Sequence, residues 1–388
     1  MCWEFGGGNG HVRRLRLIGE RLQTLGFEIV YGLRRPDVGS AIGIAEAATR
    51  AAPNWPLRMA PPDVRKTMTS ATYGDFLAQQ MLGPYDDLDE RFQLWHALIE
   101  AERPDLIIAD YAPSISLLYY GRLPIVNIGN GYVLPPATLP AFPLLIEGVS
   151  IRFEESEVIE RINGALHRFN KFPISRYPQI NRADQSYLLT LPCLDPYRDQ
   201  RKDGWLGSPD VKAIALRTRP SRSIFAYFHE QHQTDARLIE GLVHAGLPGK
   251  AIFSTPLRRT IKQLAAAKIS APGGLAHLPA ELSSCGVLVH LGSCGMAMAG
   301  IAAGVPQVMI KTDLEKTLIA RAITARNAGT VLSWSRFEAP ELASAIRNAV
   351  ESEAMQKAAR DLSLENAPYL RLDPVDEITK GIMRILGG

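Results

Sequence analysis

Apolar and polar positions along the chain alternate in two rhythms. Short apolar runs are separated by longer stretches with apolar residues three or four apart, a strand–helix alternation. From His11 to Leu25 the residues Val12, Leu15, Ile18, Leu22 and Leu25 share one helical face, and Gly26 is a fitting stop. A strand near Cys2–Phe5 precedes that helix and Phe27–Tyr31 reads as the next. Pro104 introduces the buried-strand run Leu106–Ala109, which ends at Asp110, and Leu123–Ile128 reads as another. This order predicts a parallel, doubly wound sheet. Two stretches break the rhythm, about Pro53 to Met81 and Gly131 to about Pro143; a helix over Glu154–Phe169 follows the second.

The second half repeats the scheme. Ile224–Phe228, Lys250–Ser254, Gly286–Leu291 and Gln307–Ile310 read as strands, and Thr234–Ala245, Glu315–Arg326 and Pro340–Glu351 as helices. Gly292–Gly295 is a turn into the helix Met296–Ala303, and Val375–Leu386 has helical spacing in Ile378, Ile382 and Ile385. Charges and prolines crowd Asp195–Pro220, which places a boundary near residue 205 and two domains at 1–204 and 205–388. A chain of 388 residues exceeds what one core usually organises, so two domains also fit the length.

Composition narrows the function classes. A hydrophobic share of 46% with 21% charged residues is that of a globular protein able to bury full cores. A net charge of +3 without any long basic run gives no footprint for nucleic acid. The four cysteines (Cys2, Cys193, Cys285 and Cys294) have no CxxC spacing, which fits a reducing compartment and no metal site. No apolar run reaches the roughly 18 residues of a spanning helix, and no leader pattern opens the sequence. The expectation is a cytoplasmic protein; peripheral membrane contact stays open. The residues before the glycine loop barely make a strand, so either the first strand is very short or the chain starts upstream.

Chemistry concentrates in three places. Gly6-Gly7-Gly8-Asn9-Gly10 precedes His11, which stands where a dinucleotide fingerprint has its third glycine. The acidic residue that such a fingerprint needs after the second strand is also missing, with Gly32 and Leu33 in its place. A histidine at a helix N-terminus feels a positive partial charge that disfavours imidazolium, so its ring suits a base; capping the loop is the plainer role. Asp110 ends a buried parallel strand, the edge where open α/β sheets build their sites. It either orients His11 through Nδ1 or caps the turn at Ala112-Pro113-Ser114. Gly292-Ser293-Cys294-Gly295 joins a buried strand to a small-residue helix whose first amides suit a diphosphate, or it is a tight turn without a ligand.

Together these residues resemble a known family. Val287-Leu288-Val289-His290-Leu291-Gly292-Ser293-Cys294-Gly295 with Ala302-Ala303-Gly304-Val305-Pro306-Gln307 is similar to the donor signature of UDP-glycosyltransferase-like (family 1) enzymes, a His-Gly-Gly-x-Gly-Thr turn, a helix and Ala-Gly-Val-Pro. Trp3 to Val12, Pro104 to Asp110, Gly129 to Pro136 and Ile224–Phe228 resemble further segments of a bacterial branch. The resemblance implies an α/β chain of the GT-B fold, two Rossmann-like doubly wound domains facing a central cleft, with a final helix at about 370–388 crossing back to the first. It implies an inverting, metal-independent transfer of sugar from a UDP- or dTDP-sugar to a small-molecule or lipid-linked acceptor, with no cofactor. His11 would take the acceptor proton, Asp110 would support the imidazolium, and Tyr111, Tyr132 and Pro135 would lie against the acceptor. Gly292, Ser293, Cys294, Gly295 and Met296 would hold the diphosphate.

The departures fall on the donor side. The signature's phosphate-contacting histidine falls on Leu291, with His290 one residue early, and adjacent side chains of a strand face opposite ways. Its threonine falls on Met296, and its sugar-binding acid–glutamine pair on Glu315 and Lys316. Each lost charge-assisted bond is worth about 1.5–3 kcal/mol of donor binding, which Lys316, His229 or Arg258-Arg259 would have to replace. A cation at Lys316 would suit an acidic donor sugar. The alternatives are a silent relative that binds a ligand or partner, and another nucleotide-sugar enzyme such as an epimerase.

Overall fold

A computed structural model describes residues 1–7, 10–53, 70–81, 88–201, 204–274 and 277–387. The chain divides into two compact units: 1–189 with 196–209 and 373–388, and 190–195 with 210–372. Among the described residues no helix is long and apolar enough to cross a membrane.

The first unit holds a parallel sheet of β1 (Cys2–Trp3), β2 (Tyr31–Leu33), β3 (Thr49–Ala51), β4 (Ile107–Asp110), β5 (Ile125–Gly129) and β6 (Gln185–Leu188). Its order is β3-β2-β1-β4-β5-β6. The order reverses between β1 and β4, where Trp3 pairs with Asp110. Beyond the carboxyl ends of those two strands lies the crevice in which such sheets bind ligands. The helix Gly10–Gln23 buries Val12, Leu15, Ile18 and Leu22 against Ile108, Val126 and Ile128 of the sheet. It stops before the expected Leu25, which is 44% exposed, because the Leu25 and Gly26 amides turn back to the carbonyls of Leu22 and Gln23 and Gly26 takes φ +89°. β2 begins later than expected, at Tyr31, because its ladder partners are Cys2 and Trp3. Phe27 and Ile29 form the half-buried approach to it. Of the irregular stretch at 53–81, residues 54–69 lie outside the described residues, and Tyr73–Met81 is helical.

The second unit repeats the topology with β7 (Ile224–Tyr227), β8 (Gly249–Ile252), β9 (Ile269–Ser270), β10 (Val287–His290), β11 (Gln307–Lys311) and β12 (Gly329–Ser333). The order β12-β11-β10-β7-β8-β9 reverses between β7 and β10. One face packs on the helix Cys294–Ala303 through Met296, Met298 and Ile301. The other packs on Ala236–His244 and Ala339–Glu351 through Leu238, Leu242, Leu342 and Ile346. The two sheets are the pair of doubly wound layers the sequence predicts.

Candidate active site

The first unit brings His11 and Asp110 together at its switch point. Asp110 is completely buried at the end of β4, and its Oδ1 lies 2.8 Å from Nδ1 of His11, in the first turn of the helix Gly10–Gln23. A carboxylate only accepts, so Nδ1 carries the proton and Nε2 keeps the lone pair. The Nε2 edge lies over Gly6, where an added Cβ would stand 2.6 Å from that nitrogen. Gly6 also takes φ +87°, so glycine is required there for backbone and for room. Trp3 stacks on the ring, centroids 5.6 Å apart and planes 16° from parallel. Gly8 and Asn9 of the glycine loop lie outside the described residues.

A third member, unseen in the sequence, is Arg14. Its guanidinium grips Asp110 through Nε to Oδ2 at 3.1 Å and Nη2 to Oδ2 at 2.8 Å and Oδ1 at 3.1 Å. The signal was present in its spacing, since three residues after His11 is the same helix face. Burial pushes the Asp110 carboxyl up, but the Arg14 guanidinium and then the His11 ring outweigh it and hold it below the usual carboxylate range. The turn at Ala112-Pro113-Ser114 is not capped by Asp110. Buried Glu4 does that, accepting from the Ser114 amide at 3.1 Å and from its hydroxyl. The residues expected along the acceptor follow Asp110 in sequence. Tyr111 (φ +52°) and Tyr132 are buried in an aromatic stack with Tyr73, and Pro135 is buried as well.

In the second unit His229 follows β7 and the glycine turn follows β10, so both stand at the second switch point. His290 points into the core, 1% exposed, with Nε2 donating to Oε1 of Gln307 at 2.9 Å and Nδ1 accepting from the Gly292 amide at 3.1 Å. Burial pulls its pKa to about 4 against the hydrogen bond it donates to Gln307, so the ring is neutral. The amide of Gly292 is therefore engaged within the protein. Gly295 and Met296 lie in the first turn of the helix Cys294–Ala303, whose amides have no carbonyl partner within the helix. A Cβ on Gly295 would meet no described atom within 4 Å.

Around that turn the expected side chains fare differently. Leu291, Cys294 and Met296 are buried, Leu291 in one core cluster and the other two in the second, and the Cys294 thiol lies 3.5 Å from the Thr190 hydroxyl. Ser293 occupies the N-cap position without a side-chain cap bond. Gly292, at φ +82°, sits against Lys316, whose backbone oxygen would be 3.4 Å from an added Cβ. Lys316 is not a lone cation: its ammonium is paired with Asp313, the N-cap of the helix Leu314–Thr324. Burial works against the charged lysine, and Asp313 with Glu315 overcomes it and raises its pKa. Glu315 is half-buried on the same turn. Desolvation and then the Lys316 ammonium lower the pKa of His229. Among the described residues no group of three His, Cys, Asp or Glu side chains could hold a metal ion.

Comparison with known proteins agrees with this architecture. Residues 274–377, roughly a quarter of the chain, match the erythromycin biosynthesis protein CIII-like C-terminal domain. Among solved structures the chain is similar over 99% of its length to 98% of the glycosyltransferase VinC in complex with dTDP, with 16% identity and a TM-score of 0.65. It is similar over 98% of its length to 98% of the glycosyltransferase SnogD from Streptomyces nogalater, at 15% identity and a TM-score of 0.59. The whole chain is similar to the whole spinosyn rhamnosyltransferase SpnG complexed with spinosyn aglycone, at 17% identity and a TM-score of 0.61. No curated protein matches the sequence. The fold is that of the GT-B glycosyltransferases.

Proposed function

From a GT-B fold whose second unit carries a CIII-like C-terminal domain, we propose that the chain is an inverting glycosyltransferase that moves a sugar from a nucleoside diphosphate sugar to an acceptor hydroxyl. The observation that carries this reading is the His11–Asp110 pair at 2.8 Å, with Nε2 aimed over Gly6 at the first switch point. Nε2 takes the proton of the acceptor hydroxyl while its oxygen attacks the anomeric carbon from the face opposite the diphosphate. The bond from that carbon to the diphosphate oxygen breaks, and the configuration inverts. Asp110 stabilises the imidazolium that forms. The leaving diphosphate takes up the bonding pair, and the first-turn amides of Cys294–Ala303 with the helix dipole meet its charge in place of a metal. A UDP- or dTDP-sugar suits this role, and a small-molecule or lipid-linked hydroxyl the other.

A second reading has its own observations. With Leu291 and Met296 committed to the core and the Gly292 amide held by His290, a silent relative that binds a ligand or partner protein fits the donor side. One experiment separates the two. Turnover is measured with a panel of UDP- and dTDP-sugars, and donor affinity by calorimetry, for the wild type and His11→Ala. Loss of turnover by about 10²–10⁴-fold with donor affinity kept within about twofold supports the transferase. Undiminished turnover in the variant removes the base assignment, and no binding of any donor at millimolar concentration selects the silent reading.

A further inference from the structure

The proposed base does not stand on Asp110 alone. We propose that Arg14 is a positioning residue that divides the charge of Asp110 and so limits how far that carboxylate draws a proton onto the His11 ring. This rests on the reading of His11 as the base. Three distances carry it. Nη2 of Arg14 lies 2.8 Å from Oδ2 and 3.1 Å from Oδ1 of Asp110, so the guanidinium engages the same oxygen that faces His11. The same Nη2 is 3.1 Å from Nδ1 of His11. A guanidinium cannot accept a hydrogen bond and Nδ1 already points its proton at Asp110, so this contact sets positive charge directly against the ring. A carboxylate facing only His11 would favour imidazolium, whereas one shared with Arg14 favours it less.

Among the described residues, other charged and aromatic groups also face the ring. Trp3 covers one face of the ring, and Arg34 lies beyond it, 5.7 Å from the Trp3 ring centre, with its Nη1 on the Gly6 carbonyl. The Glu4 carboxylate is engaged at Ser114, on the far side of Tyr111 in sequence. The Tyr111 ring centre is 6.1 Å from that of His11, and Tyr73 stacks on Tyr111. Asp110, with no exposed surface, is the acid that bonds the ring, and Arg14 is the cation that bonds Asp110.

The test is acylation of His11 by diethylpyrocarbonate, which attacks only the neutral imidazole, read peptide by peptide in a mass spectrometer from about pH 5 to about pH 9. The same variants are followed by kcat/KM over the same range. In Arg14→Met the half-maximal acylation of His11 moves up by about one pH unit, and the rate below that point falls about tenfold. The acid limb of kcat/KM moves by the same amount, and activity recovers at alkaline pH. Arg14→Lys, which keeps the charge but not the fork, leaves the midpoint within about 0.3 unit while lowering kcat. Should Arg14→Met fail to fold, Arg14→Gln carries the same expectation. An unmoved or lowered midpoint in a folded neutral variant overturns the proposal, as does a uniform drop in kcat with no displacement of the acid limb. A displaced acylation midpoint in a protein that turns over no donor sugar leaves the role of Arg14 standing and removes the transferase reading instead.

Discussion

Asp110 binds a histidine and an arginine with one buried carboxylate, and this arrangement fixes what can be expected of it. Its folded pKa is held below the ordinary value near 3.9, so the carboxylate contributes stability that is present above that value and lost as pH falls through the folded one. Asp110→Asn leaves Arg14 without its counter-charge. The variant should be less stable than the wild type by about 3–5 kcal/mol from about pH 5 to pH 7, with the gap closing below about pH 4. Urea unfolding at stepped pH reads this, and a gap that did not narrow at all as pH fell below about 4 would mean that lost packing, not charge, is the cause. Under the transferase reading the same change also presents a donor group to Nδ1, and kcat should fall by about 10²–10⁴-fold. His11 and Asp110 were legible as candidates because a glycine loop and a strand end mark their positions. Arg14 was not, because one more arginine on an amphipathic helix reads as a solvated face until the fold turns it onto a carboxylate.

At the scale of elements, β10 is tied to the turn after it and to β11 by His290, which accepts from the Gly292 amide and donates to Gln307. The tie holds while the ring is neutral. Its folded pKa of about 4 lies below the unfolded 6.5, so the unfolded chain binds the extra proton first. The stability it contributes is full above about pH 6.5 and is lost as pH falls toward 4, a difference of about 3 kcal/mol. In His290→Asn, which keeps an acceptor near Nδ1 but does not titrate, hydrogen exchange of the β10 and β11 amides should lose most of its pH dependence between about pH 6.5 and pH 4, after correction for intrinsic exchange. Equal slopes in the two proteins would refute the assignment. The pattern reading found β7, β10 and β11 because central parallel strands are continuous apolar runs. It missed the four edge strands β3, β6, β9 and β12, with half or more of their residues partly or fully exposed, and the helix Glu353–Leu370, whose surface is too mixed for a clear stripe. The role of His290 was hidden because a strand pattern shows that a side chain alternates, but not which partners it meets inside.

For the molecule as a whole, sequence order and spatial order part at the end of the chain. The last helix, Pro374–Gly387, belongs to the first unit, where Ile378 and Ile382 join the core formed by Val12, Leu15 and Ile108. Its spacing was readable in Ile378, Ile382 and Ile385. The return of residues 190–195 to the second unit had no mark in composition. Burying two isoleucines is worth about 3–6 kcal/mol, a large part of the 5–15 kcal/mol that a domain commonly has. Gly381 fits so closely over Tyr187 that an added Cβ would stand 1.5 Å from the tyrosine oxygen. Gly381→Val should therefore lift the helix and cost the first unit several kcal/mol, on the order of an overpacked core. Truncation after Leu372 should cost it more. In both, amide exchange should accelerate in β1, β2, β4 and β5 while β7, β10 and β11 keep their protection, because the second unit holds its own two-faced core without this helix. Exchange that accelerated equally in both sheets would show that the helix supports more than the unit it lies in, and a truncated chain with undisturbed first-unit strands would show that it supports neither.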